Sequence, residues 1–135
     1  MLDLAQKRDA HIDQRLRENI IIWLSSLRPD GRPHTVAVWF LWDGEQVLIF
    51  SKPNQKVSNL RQHAQVTLAL DNTNLGADPI VIDGTAELFD DPAINTTLPA
   101  YVAKYGERIK RIGYTPETMS QAYSQAIRIT PTKFY

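Results

Sequence analysis

The stretch from Phe50 to Leu60, FSKPNQKVSNL, concentrates the residue types that could hold a charged ligand. A strand runs into the hydroxyl of Ser51 and the ammonium of Lys52. A short helix then starts, with Lys56 in its first turn. The first turn of a helix carries N–H groups without intrahelical acceptors and a partial positive charge, so it suits an anion. A lysine at that end opposes the helix dipole. The opposition turns favourable once an anion sits between the lysines and the amides. The same spacing serves equally well for a solvated lysine pair on an ordinary turn.

A second group bears on planar ligands: Trp39 and Trp42, with Phe40 between them. In an extended strand, Thr35, Ala37, Trp39 and Leu41 point to one side, and Val36, Val38 and Phe40 to the other. If one side is core, Trp39 and Leu41 form an apolar patch on the other. Such a patch fits an interface between two copies of the chain, with or without a planar ring lodged in it. The usual catalytic templates are missing: no G-x-G-x-x-G follows a strand, and no Walker-type or G-x-S-x-G motif occurs. His11, His34 and His63 have no metal-ligand spacing. Asp90 and Asp91 precede a helical stretch and read as capping residues.

The elements that must position these residues follow from the periodicity. Asp9 to Glu18 reads as a helix capped by Asp9, with Ile12 and Leu16 on one face and an Asp13–Arg17 pair one turn apart. Ile20 to Leu27, His34 to Trp42 and Gln46 to Ser51 read as strands. Pro29-Asp30-Gly31 and Asp43-Gly44 are the turns between them, which predicts an antiparallel meander. Pro53 to His63 has apolar residues three and four apart, a short helix. Gln65 to Asp71 and Pro79 to Phe89 are strands, with Gly84 a candidate bulge or barrel corner. Asp91 and Pro92 open a helix over Ala93 to Ile109, with a kink at Pro99. Thr115 caps a short helix to Tyr123, and Ala126 to Thr130 closes the chain as a sixth strand. Six short strands on a small chain predict a mainly β barrel or sandwich, which keeps strand edges covered.

Composition narrows the function classes. With 135 residues, one domain over residues 1–135 is expected. Fifteen basic residues balance fifteen acidic ones, so no overall positive field favours nucleic acid or an anionic membrane. The absence of cysteine excludes disulfides, thiolate metal sites and cysteine nucleophiles. No apolar run approaches the ~20 residues of a membrane span, and the N-terminus lacks the apolar core of a signal peptide. A cytoplasmic protein is expected.

Several of these residues form an ordered string. It runs from Trp23-Leu24 to Arg28-Pro29-Asp30-Gly31-Arg32-Pro33-His34 and Val38-Trp39-Phe40-Leu41-Trp42-Asp43-Gly44. Ser51, Pro53, Lys56 and Asn59-Leu60-Arg61 come next, and Ile127-Arg128-Ile129-Thr130-Pro131 ends it. In order and spacing this resembles the pyridoxamine 5′-phosphate oxidase-like split β-barrels, in particular their small F-420-dependent oxidoreductase subgroup. The resemblance implies a six-stranded antiparallel split barrel of the FMN-binding type. It also implies a homodimer with a cofactor, FMN or coenzyme F-420, in each groove between subunits. Carried over by position, Ser51, Lys52 and Lys56 hold the phosphate and Asn59 braces the turn. Thr35, Val36, Ala37, Val38 and Trp39 run along the ring, and Phe50 lies near it. Ala37 stands where many relatives carry proline, and the extra basic residues of the full pyridoxamine-phosphate oxidases are not found, which argues against vitamin B6 oxidation.

The expected function is that of an oxidoreductase passing hydride between F-420 or FMN and a small organic substrate, with the redox chemistry residing in the cofactor. The two rings have nearly the same shape, so the sequence does not choose between them. A catalytic acid or base is not assigned. Tyr101, Lys104 and Tyr105 either face the groove or cover a barrel end. Lys52, Arg61, Lys104 and Arg108 are candidates for lining the exit of an F-420 tail. The alternatives are a non-catalytic flavin, deazaflavin or haem-type carrier, and a dimer whose groove is empty.

Overall fold

A computed structural model describes residues 1–135. The first helix, α1 (Lys7–Glu18), turns Ile12 and Leu16 into the core and joins Arg17 to Asp13 at 2.9 Å. It begins two residues before Asp9, with Gln6 at the cap position. Asp9 lies in the first turn and its carboxylate accepts the Asp3 N–H.

Strands β1 (Ile22–Leu27) and β2 (Pro33–Val38) form the expected hairpin around Gly31, whose φ of +84° suits glycine. The strand expected over His34 to Trp42 is then broken at Trp39 and Phe40. Its remainder, β3 (Leu41–Trp42), pairs with β4 (Val47–Ser51) and not with the hairpin. After α2 (Gln55–Gln62) come β5 (Gln65–Leu70) and β6 (Val81–Phe89). Helices α3 (Pro99–Arg111) and α4 (Pro116–Ala122) precede β7 (Gln125–Phe134).

The result is a seven-stranded antiparallel sheet in the order β2-β1-β5-β6-β7-β4-β3, one strand more than expected. Both predicted hairpins form, but the second, at Asp43-Gly44, is only two residue pairs long. The meander is cut within its middle strand, and β4 finds its longer pairing with β7, Phe50 opposite Ala126. The two edge strands, β2 and β3, are separated in the chain by only Trp39 and Phe40. An extended residue spans at most ~3.6 Å, so the sheet must curl until its edges nearly meet. That is a split barrel.

Period-two alternation explains how the curled sheet builds two cores. Ile49 of β4 and Ile127 of β7 point into the barrel with Leu24, Leu68, Ile82 and Val47. Their neighbours Phe50 and Ala126 point out, into a second cluster with Tyr101, Tyr105 and Ile109 of α3 and Met119 of α4. Helix α3 starts at Pro99, so this proline is a first-turn residue and not a kink. Asp91 closes a local turn instead of a helix, accepting the Ala93 N–H at 3.0 Å. Thr115 caps α4 in a reciprocal arrangement with Thr118. Trp39 and Leu41 pack as half-buried residues against the second cluster rather than forming an exposed patch. No helix is long and apolar enough to cross a membrane.

Gly84 marks a register shift where β6 passes β7. A Cβ there would lie 2.7 Å from Ile129 Cγ2 and 3.0 Å from the Thr130 carbonyl oxygen. Gly84→Ala is therefore expected to lower stability by about 1–3 kcal/mol. Urea unfolding should show this as a lower midpoint at unchanged slope. An unchanged midpoint would contradict the close approach.

Candidate functional site

The break between β2 and β3 needs explicit support, because a chain leaving a sheet strands its N–H and C=O groups. Phe40 is fully buried at that point. Its N–H donates to the Tyr105 hydroxyl at 2.9 Å, and that hydroxyl donates in turn to the Ile20 carbonyl at 2.7 Å. The Phe40 carbonyl accepts from Lys104 Nζ at 2.9 Å. The Lys104 ammonium also lies 3.9 Å from the centre of the Phe40 ring, within range of a cation–π contact. Trp39 stacks on Tyr105, with ring centres 4.7 Å apart and planes 5° from parallel. Helix α3 is thus fastened to the break by consecutive residues.

Between this break, the end of β4 and helices α3 and α4 lies a cavity of about 260 Å³. Its walls include Ala37, Val38 and Trp39 from β2 and the break, and Phe50 from β4. Tyr101 and Met119 close it from the helices, and Lys56 supplies its one charge. Five of the ten residues expected at a ligand site, Ala37, Val38, Trp39, Phe50 and Lys56, therefore meet around one space.

Lys56 is the centre of the adjoining polar cluster. Its Nζ donates to Ser51 Oγ at 2.9 Å and to Asn54 Oδ1 at 3.3 Å. Ser51, nearly inaccessible, donates its own proton to the Lys52 carbonyl at 2.6 Å. Burial lowers the Lys56 pKa from its ordinary value. No carboxylate lies within ion-pair distance of Lys56. The first turn of α2 has no acidic residue either, and Asn54 at the cap position makes no capping hydrogen bond. Asn54 spends its oxygen on Lys56 instead. A half-buried cation and an uncapped helix start converge with no protein anion, a donor set that fits a phosphate.

The other expected residues take varied positions. Asn59 is buried and ties α2 down, donating to Ser26 Oγ of β1 at 3.2 Å while accepting from Gln55 at 2.8 Å. That is a bracing geometry, and Ser26 is a partner the sequence did not single out. Lys52 turns outward, with its ammonium 5.2 Å from the Tyr123 ring centre. Thr35 is exposed and shares a hydrogen bond with Ser25 at 2.8 Å. Val36 packs against the barrel core and is not among the cavity's walls. Ile112, Met119 and Tyr123 line the cavity without having been anticipated. Their helical spacing gives no sign of a ligand, since the same pattern covers any barrel end.

A curled antiparallel sheet, split at one point and carrying an anion-ready helix start beside the split, defines a split β-barrel of the flavin-binding type. The chain belongs to the pyridoxamine 5′-phosphate oxidase family, whose model matches residues 9–135. Solved structures agree on the fold. A candidate pyridoxamine 5′-phosphate oxidase from Listeria innocua superposes with a TM-score of 0.71 at 23% identity, over 96% of this chain and 97% of its own. An F420 reductase gives 0.67 at 24% identity, over 91% and 94%. The haem storage protein of Vibrio cholerae gives 0.67 at 18% identity, over 96% and 94%. Comparison with curated proteins gives no match.

Burial lowers the Lys104 pKa from 10.5 to about 8. Between those two values the unfolded chain holds a proton that the folded chain has released, so this group's contribution to stability rises with pH. The stability difference between wild type and Lys104→Met should therefore shift in favour of wild type as pH rises from 8 towards 10.5. Urea titrations across that range test it, and a flat difference would contradict the burial of this amine.

Proposed function

We propose that the chain is a flavin- or deazaflavin-dependent oxidoreductase that binds the phosphate of FMN or coenzyme F-420 at Ser51, Lys56 and the start of α2. The observation that carries this reading is the half-buried, carboxylate-free Lys56 beside an apolar cavity. Membership of the family supports a flavin-type cofactor. The F420 reductase and a FAD-binding protein of Mesorhizobium loti among the structural neighbours point the same way.

In this reading each part of the chain has a binding role. Lys56 and Ser51 neutralise and hydrogen-bond the phosphate. Asn59, through Ser26, keeps α2 at a fixed distance from β1. Ala37, Val38 and Trp39 form one wall against the ring, and Phe50 another. These apolar walls exclude water from the ring, which strengthens every polar contact made there. A bound flavin or deazaflavin supplies the hydride chemistry.

The cavity is small beside the ~300–1,000 Å³ of most ligand pockets, which supports a groove completed by a second subunit. Trp23 on the outer face of β1 is 42% exposed and lies opposite the small residues Ala37 and Ala69. A second copy seated on that face would cover it and extend the groove at β2. Non-catalytic carriage is the second reading. It is favoured by the cavity walls, in which burial keeps the Tyr101 phenol neutral and Lys56 is the only charged group. Faster oxidation of the reduced cofactor on adding quinones or enones distinguishes turnover from carriage.

Fluorescence titration is expected to show binding of FMN or F-420 at micromolar concentrations. Binding of neither would overturn the proposal. Lys56→Ala is expected to weaken the bound cofactor by about one to two decades, the loss of a charged hydrogen bond worth ~1.5–3 kcal/mol. For the dimer, sedimentation velocity should give twice the chain mass, reverting towards one for Trp23→Arg. A wild-type monomer at tens of micromolar would sink that part.

A further inference from the structure

Tyr101 and Tyr105 lie one turn apart on α3, both in the second core cluster and both nearly inaccessible, at 1% and 0%. Their rings touch, with centres 4.9 Å apart. Their hydroxyls have opposite fates. Tyr105 bonds to the backbone at Ile20 and Phe40. Tyr101 makes no hydrogen bond to the protein, yet its ring is fixed edge-on against Phe50 at 5.1 Å. Its hydroxyl is not sealed in the core either: the one sealed, unpartnered side-chain polar atom is His34 Nδ1. Tyr101 instead lines the cavity that Lys56 and Trp39 also line.

A buried tyrosine hydroxyl nearly always finds a partner, because an unpaired one loses its hydration without recompense. The rest of the cavity wall here is apolar apart from Lys56 and the tip of Tyr123. Water can meet that hydroxyl while the cavity is empty, so an occupant that displaces the water has to replace its hydrogen bond. Lys56 requires that occupant to carry an anion at one end. The flat faces of Trp39 and Phe50 suit a planar body, and Tyr101 requires an oxygen or nitrogen on it.

We infer that Tyr101 is a specificity-determining residue of the site, donating a hydrogen bond from its hydroxyl to a carbonyl oxygen on the ring of the bound flavin or deazaflavin. This rests on the proposed cofactor reading and adds a ring contact to the phosphate contact. Burial and the neighbouring Tyr105 and Tyr123 rings raise the Tyr101 pKa, so the phenol stays protonated and able to donate at neutral pH. The contact is one of recognition: it selects planar molecules bearing an oxygen acceptor over hydrocarbons of equal shape.

Tyr101→Phe removes the hydroxyl and keeps the ring, and no protein hydrogen bond is lost with it. Its melting temperature should match or exceed that of wild type. FMN, riboflavin and lumiflavin share the ring but lose in turn the phosphate and the ribityl chain. Titrated against wild type and variant, all three should weaken by the same factor, about three- to tenfold. The absorbance band of the bound flavin should move in each case. Lys56→Ala should weaken FMN alone. If FMN binds in a Lys56-dependent way but Tyr101→Phe changes nothing, the ring contact is wrong and the cofactor reading stands. If Tyr101→Phe weakens FMN and riboflavin but not lumiflavin, the hydroxyl meets the ribityl chain and the ring assignment is overturned. If neither FMN nor F-420 binds wild type, both fall together.

Discussion

The Phe40 backbone is where the fold and the site depend on each other. At this residue the chain crosses from one edge of the sheet to the other, and its amide and carbonyl leave the ladder inside the protein. Left unpaired, each such group costs about 1–3 kcal/mol, a large part of the stability of a domain this size. Tyr105 and Lys104 remove that cost by bonding to the Phe40 N–H and carbonyl. Because both sit on α3, the helix cannot move without exposing the break. The stacking of Trp39 on Tyr105 extends the same attachment to the cavity wall. Closing the barrel and shaping the cavity are one packing problem.

The polar half of the site is built on the opposite logic. Lys56 is drawn away from water and given two neutral oxygens, those of Ser51 and Asn54, but no carboxylate. Desolvation of an unpaired ammonium is unfavourable, and Asn54 gives up its capping role to soften it. An anion at this position relieves the lysine and the uncapped helix start together. The Tyr101 hydroxyl, with no protein partner on the wall of the same cavity, is a second demand of the same kind. Two unmet polar demands within one apolar enclosure describe a ligand by its complement: charged at one end, flat, and oxygen-bearing.

Much of this was legible in the sequence because it is local. The hairpin at Gly31, the helix beyond Pro53, the Asp13–Arg17 pair and the bulge at Gly84 each rest on a few neighbouring residues. The Ser51 to Asn59 cluster was legible for the same reason. The break at Trp39 was not, since the apolar alternation runs through it without glycine or proline. Its cause lies 65 residues away, in Tyr105. Nor does any local pattern tell β4, already paired with β3 through the Asp43-Gly44 turn, to take β7 as its other neighbour. Asp91-Pro92 has the form of a helix start, yet the following residues turn locally and the helix waits for Pro99. Tyr101 and Tyr105 are indistinguishable by type and spacing. Only their three-dimensional neighbours separate a structural bolt from a group facing a cavity.

The claim that a phosphate sits against Lys56 is tested most directly by phosphorus NMR of FMN and of F-420 with the protein in excess. The resonance of the bound cofactor is predicted to shift and broaden. For FMN, the second phosphate ionisation should fall below its free value of about 6, because nearby positive charge favours the dianion. Resonances unchanged in position, width and titration for both cofactors would contradict the account.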